Sequence, residues 1–323
     1  MTSHHHQHGA GHQHGHGHVP AADFDWDALA AHLEHEADLR AGAVTEAARW
    51  LSGLYGAGTD STGGTDNTSG TVSTDSTDGT GGAAVGVRRV LDVGSGPGVI
   101  AGLLAEVFPA AEVVAVDQSA ALLERARTRS GGRLGTRQAD LPAEFDKLGE
   151  ADLIWSGNAI HHLGDQQAAL TSLAGVLRPG GLLAVAERGL AARFLPRDFG
   201  LGRPGFQARL DAAHEDGFSA MRAELPDSTE EIEDWPAMLE RAGLAPSGTR
   251  TFLVDRPAPL DRRTREYLRT QLSRLHDQLA DSLRPEDRST LEALLDEDAP
   301  TGILHRRDAF YLSAMTVHTA RKA

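Results

Sequence analysis

Cysteine is absent from this 323-residue chain, which excludes disulfides, thiolate metal centres and a cysteine nucleophile. Also missing is any uninterrupted apolar stretch long enough to span a membrane, and the N-terminus lacks the apolar core of a signal peptide. A soluble, cytoplasmic protein without a membrane partner is expected. Positive charge is scarce: 31 Lys and Arg stand against 46 Asp and Glu, a formal net charge of −15, which disfavours a nucleic-acid-binding surface. Four of the acids (Asp60, Asp66, Asp75 and Asp78) fall in a stretch that reads as linker, so the folded part is less acidic than the total suggests.

What is present divides the chain by composition. Residues 1–22 form a His- and Gly-rich tail holding half of the 16 histidines, a tract that cannot build a core. Its imidazoles would chelate a divalent metal loosely, either as a metal-binding device or as an adventitious property of a disordered tail. Residues 23–55 read as a helical arm, capped by Asp25 or Asp27 and running to about Leu54, with Gly42 placed to divide it in two. Residues 56–84 are almost purely Gly, Thr, Ser and Asp; they cannot repay the entropy of ordering and read as a flexible linker.

From Val87 the pattern becomes strand, helix, strand. Strands are expected near 88–93, 112–117, 134–139, 151–156 and 181–187, with helices such as 119–129 and 165–177 between them. That alternation predicts an α/β fold, a parallel sheet with helices on both faces. Afterwards the alternation pauses. Residues 190–233 carry Phe194, Phe199, Phe206 and Phe218 with a helix expected near 206–223; a helix near 234–242, a strand near 249–254, a helical stretch over 261–296 and a last strand near 309–319 follow.

The densest chemical signal is Val90-Leu-Asp92-Val-Gly94-Ser95-Gly96-Pro-Gly98, followed by Val116-Asp117. A buried strand meets three glycines that permit positive φ and close approach of a ligand, and then a helix whose Pro97 suits a first turn. Helix N-termini offer N–H groups and partial positive charge to an anionic group. Asp117 comes 23 positions after Gly94, about where doubly wound folds place an acid against ribose hydroxyls. The dinucleotide fingerprint G-x-G-x-x-G fails, because Val99 occupies its third glycine position.

The glycine run instead resembles motif I of the class I S-adenosyl-L-methionine (SAM)-dependent methyltransferases. Further motifs in order strengthen the resemblance: Arg137-Gln-Ala-Asp140-Leu141 at the third strand's end, Ala151 to Leu163 including Asn158, His161 and His162, and Leu177-Arg-Pro-Gly-Gly181 leading to Glu187. It spans roughly Val87 to Glu187. The family pattern implies a seven-stranded Rossmann-like sheet of order 3-2-1-4-5-7-6 with strand 7 antiparallel. Here residues 85–323 would form that domain, with a lid over 190–233 and a helical insertion over 261–299.

The resemblance also implies the cofactor residues: Asp92, Gly94, Ser95, Gly96 and Gly98 at the amino-acid end of SAM, Asp117 and Gln118 at the ribose, Asp140 and Leu141 at the adenine, and Asn158 after the fourth strand. Bland roles stand beside these: Asp117 as a helix cap, Asp140 as a turn former. His161 and His162 are candidate bases for a hydroxyl acceptor or, as is common for such a pair in the resembled family, packing or pocket-lining residues without a fixed catalytic role; Glu187 divides the same way. His32 and His35 either line the cofactor mouth or occupy exposed helix positions.

No Asn-Pro-Pro-Tyr-like sequence follows the fourth strand, where nucleic-acid amino-methylating enzymes carry one; Ser156-Gly-Asn158-Ala stands there. With the acidic balance, this favours O- or N-methylation of a small molecule and no nucleic-acid partner. Alternatives are a non-catalytic SAM-binding or metal-sensing module and a protein methyltransferase.

Overall fold

The alternation that begins at Val87 resolves, in a computed structural model, into one mixed sheet with helices on both faces; the residues described are 26–59, 86–141, 143–187, 189–279 and 281–323. The His-rich tail and residues 60–84 of the expected linker lie outside them. Strands β1 (Arg89–Val93), β2 (Glu112–Asp117), β3 (Gly135–Gln138), β4 (Ala151–Gly157) and β5 (Leu177–Ala186) are parallel, in the order β3-β2-β1-β4-β5. Near-continuous burial along β1 and β4 is what a parallel sheet covered on both sides requires.

Alternation along β4 divides two cores. Leu153 and Trp155 join the core beneath helices α1 (Trp26–Thr59), α2 (Val99–Val107) and α3 (Ala120–Arg129). Ile154 joins the opposite core, which packs Leu170 and Leu173 of α4 (Gln166–Val176). After β5 come β6 (Leu190–Arg193), α5 (Phe206–Glu224) and α6 (Trp235–Arg241), the last buried through Trp235, Met238 and Leu239 beside α4.

The sheet closes with β7 (Ala245–Arg256) and β8 (Tyr311–Arg321). β8 lies antiparallel to β5, with Leu182 opposite Arg321, and β7 pairs along its other edge. Leaving β6 aside, this is the 3-2-1-4-5-7-6 order. β6 is an eighth strand within the segment expected as a lid. β8 overhangs the end of β5, leaving backbone groups that need partners, and β6 pairs at Ala314 and Leu312 on that edge. Gly189 permits the approach, since a Cβ there would lie 1.9 Å from the Ala314 carbonyl oxygen.

α1 corrects two expectations. It is one continuous 34-residue helix through Gly42, and Asp27 lies inside it; Asp25 is outside the described residues. A mid-helix glycine costs about 1 kcal/mol. Burial of Val44 and Leu51 alone outweighs that, because burying a Val or Leu side chain contributes about 1.5–3 kcal/mol; Ala47 and Ala48 are buried beside them. The helical stretch after β7 divides into α7 (Arg262–Leu279) and α8 (Pro285–Leu295), with Pro285 opening the second helix where its missing N–H costs nothing. Among the described residues no helix is long and apolar enough to cross a membrane.

Candidate active site

The carboxyl ends of β1 and β4 meet where the strand order reverses direction, and open α/β sheets bind ligands at such switch points. At the end of β1 the chain turns through Gly94 (φ 75°), Gly96 (φ 53°) and Gly98 (φ 74°) into α2. A Cβ on Gly94 would lie 2.3 Å from the Ala159 Cβ, and one on Gly98 would lie 2.5 Å from the Ala126 Cβ. These two glycines let the turn pack on the segment after β4 and on α3. Gly96 is open except for Leu33 of α1, whose Cδ1 would stand 3.6 Å from an added Cβ, so α1 roofs the turn.

The amides of the turn mostly serve the fold. Gly94 and Ser95 both donate to the Val116 carbonyl at 2.9 and 3.0 Å, and Gly98 donates to the Ser95 carbonyl at 3.1 Å. Side chains supply the unsatisfied groups instead. Asp92 Oδ2 and Ser95 Oγ are buried polar atoms without a hydrogen-bond partner among the described residues. Burial pushes the Asp92 carboxyl up to about 7; the Ala101 amide opposes this and nearby Asp117 adds to it. A buried carboxylate oxygen left unpaired is a strong invitation to a cation or donor from a ligand.

Asp117 ends β2 and joins two segments. Its Oδ2 accepts from the Gly96 amide at 2.8 Å, and its Oδ1 accepts from the Ser119 amide at 2.9 Å. The cap of α3 is Ser119, whose Oγ accepts from Leu122 N, so the capping role weighed for Asp117 belongs to its neighbour. A carboxylate offers about four lone-pair sites, which leaves Asp117 able to accept from a ligand hydroxyl as well.

Beside it a cavity of about 630 Å³ is lined by Gln118, Ser119, Ala120, Ala121, Gln138, Asp140 and Glu144. Exposed Asp140 donates its amide to Glu144 Oε2 at 2.9 Å, and Gln138 Nε2 donates to the Gln118 carbonyl at 3.0 Å. Leu141 is half-buried against the core under α4. Glu144 was outside the sequence expectations; nothing in its local pattern marks it, since only the return of the chain below β3 brings it to the cavity.

At the other end of the site, Asn158 follows β4 with φ 51° and donates its amide to the Ala186 carbonyl at 3.0 Å. A 3₁₀ turn, Ile160–His162, comes next. Glu187, one residue past β5 and 1 % exposed, receives this turn: Oε1 accepts from the Ala159 and Ile160 amides at 2.8 and 2.7 Å, and Oε2 lies 2.6 Å from His161 Nδ1. His162 packs its ring 4.2 Å from that of His161, and its pKa is lowered by desolvation, then by His161 and Arg222, with Glu187 opposing.

α5 holds the turn from above. Phe218 sets its ring edge against His161 at 5.4 Å, and Arg222 donates to the carbonyls of His161, Leu163 and Gly164. Sequence reasoning placed Phe218 in a lid but did not single out Arg222.

The histidine turn and the glycine turn touch through Ala159 and Gly94, whereas Asp140 lies two strands away at the end of β3. His32 departs from the exposed position weighed for it: it is 7 % exposed, stacked on Tyr267 at 5.2 Å, and its Nδ1 has no partner among the described residues.

Residues 90–181 match the family model described as a methyltransferase domain. An uncharacterised methyltransferase of Mycobacterium bovis is 42% identical over 103 residues, 31% of this chain and 51% of that protein. A trans-aconitate 2-methyltransferase of Methylobacterium radiotolerans is 42% identical over 98 residues, 30% of this chain and 37% of that protein. The chain thus spans about half the length of the first relative and little over a third of the second. A solved structure of a putative methyltransferase from Bacillus halodurans matches at 18% identity over 73% of this chain and 93% of that one, with a TM-score of 0.43, a likeness too loose to bear on chemistry.

Proposed function

We propose that this chain, whose residues 90–181 match a methyltransferase-domain family model, is a class I methyltransferase that uses SAM to methylate oxygen or nitrogen of a small molecule. The observation that carries the reading is the line of acids along the carboxyl ends of adjacent strands: buried Asp92 on β1, with its Oδ2 left without a partner among the described residues, Asp117 on β2, and Asp140 beside the 630 Å³ cavity after β3. These groups fit a ligand with an ammonium at one end, a dihydroxylated ribose in the middle and an amino-bearing base at the other.

Bound SAM supplies a methyl group on a positively charged sulfur. Asp92 would pair with its ammonium beside Ser95 and the Gly94–Gly98 turn, Asp117 and Gln118 would hold the ribose, and Asp140 with the Leu141 amide would hold the adenine. Asn158 stands at the junction with the acceptor side. Positioning supplies much of the rate in such a displacement, so the roof formed by α1 over Gly96 and by α5 over the histidine turn also excludes water. Residues 190–233 act in this reading as the lid over a partly apolar acceptor.

The matched segments cover only 51% and 37% of those relatives' own length, so their acceptors are not carried over. Titration calorimetry with S-adenosylhomocysteine, followed by incubation with methyl-labelled SAM and deproteinised cell extract, tests the reading. Saturable binding and label in small molecules are expected. Absence of binding, or absence of label in any small molecule of the extract, rejects it.

A further inference from the structure

Resting on that methyltransferase reading, we propose that His161 is the general base for an acceptor hydroxyl and that Glu187 is its positioning residue. Glu187 is buried with both oxygens engaged. Its Oε1 accepts the Ala159 and Ile160 amides, which leaves Oε2 as the acceptor for His161 Nδ1–H at 2.6 Å. In a neutral imidazole, a proton fixed on Nδ1 leaves the lone pair on Nε2. The ring therefore has one tautomer and one available basic atom.

The ring is also fixed in place. The His161 side chain is 11 % exposed, clasped between His162 and Phe218, while Arg222 ties its own carbonyl to α5. The turn that carries it contacts the glycine turn, so the basic atom belongs to the same end of the sheet as the methyl donor's amino-acid end. A histidine needed only for packing does not require a buried carboxylate that spends its other oxygen ordering the same turn.

The chemistry selects the acceptor class. A carboxylate is already anionic and a neutral amine already carries its nucleophilic lone pair, so neither needs a base before attack. A hydroxyl does. In the proposed step the acceptor oxygen forms a bond to the methyl carbon as the carbon–sulfur bond breaks. The electron pair of that bond stays on sulfur, giving a neutral thioether, and the hydroxyl proton moves to His161 Nε2 and then to solvent. The products are a methyl ether, S-adenosylhomocysteine and one proton.

Glu187→Gln separates a positioning role from a structural one. The glutamine oxygen can keep both backbone amides, but its NH₂ then faces Nδ1 and drives the proton to Nε2. Expected are an Nδ1–H tautomer in the wild type and Nε2–H in Glu187→Gln, read from ¹⁵N imidazole shifts of the ligand-free protein and assigned with His161→Gln. Affinity for S-adenosylhomocysteine should be unchanged.

With methyl-labelled SAM and deproteinised cell extract, label should enter base-stable ethers, not base-labile esters. The ether-forming kcat should fall about 10²–10⁴-fold in Glu187→Gln with little change in KM. An Nε2–H tautomer in the wild type, label confined to esters or N-methyl products, or an undiminished Glu187→Gln rate overturns the dyad. Failure to bind S-adenosylhomocysteine, or absence of label in any product, rejects instead the methyltransferase reading beneath it.

Discussion

Asp117 Oδ2 accepts the Gly96 amide at 2.8 Å, so the acid that ends β2 is tied to the glycine turn that ends β1. Its other oxygen holds the Ser119 amide at the start of α3. Asp117→Ala removes a ligand contact and also loosens both segments. Hydrogen bonds to a charged group contribute about 1.5–3 kcal/mol, so the affinity for SAM should drop at least tenfold. Calorimetry returning the wild-type constant would contradict the assignment.

Gly94→Ala combines backbone strain with collision. An L-residue at φ 75° costs about 1–2 kcal/mol, and the new Cβ would sit 2.3 Å from Ala159 Cβ. Chemical denaturation should register a loss above about 2 kcal/mol. Adding Ala159→Gly removes the collision and not the strain, so the double variant should recover only part of the loss. Equal stability of the single and double variants would show that contact with Ala159 is not the constraint.

Asp92 links stability to pH. Its carboxyl is raised by burial from 3.8 to about 7, so the folded state retains the proton where the unfolded chain has released it. The protonated form favours folding: this contribution is fully present below about pH 4, declines between about 4 and 7, and is lost above that. Relative to the wild type, Asp92→Asn should gain stability across that window, on the order of 4 kcal/mol at most. Affinity for S-adenosylhomocysteine should run the other way in the wild type, rising as Asp92 ionises to meet the ammonium. Thermal melts and calorimetry between pH 4.5 and about 8 check both slopes.

α1 is held in two unequal ways. Its own Leu51 is fully buried in the core, while its Glu34 pairs with Arg125 at 2.9 and 3.3 Å near the surface. Leu51→Ala should cost about 2–5 kcal/mol in urea unfolding. Glu34→Ala should cost at most about 1 kcal/mol, a difference that shrinks further in high salt. If Leu51→Ala proved as mild as Glu34→Ala, the packing of α1 on the sheet would be refuted.

Much of the sheet was legible because its signals are local. Strand runs such as Val113–Val116 and the cap residues Ser119 and Asp165 sit within a few residues of the elements they define. β6 was not, because Leu190–Arg193 becomes a strand only where β8 supplies a free edge. Gly42 misled for a related reason: local propensity argues for a break, while long-range burial keeps α1 whole.

The same division runs through the site. The sequence alone determined the glycine turn, the acids Asp92, Asp117 and Asp140 and the histidine pair, since each belongs to a short motif at a strand's end. Tertiary structure alone decided which partners these residues take. Glu187 is 26 positions from His161, and Arg222 is 61, distances over which no periodicity carries information. Parallel packing of β4 beside β5 brings the first pair within 2.6 Å, and docking of α5 brings the second. A side chain's chemistry is written in its own residue, but its tautomer and its pKa are set by neighbours that only folding supplies.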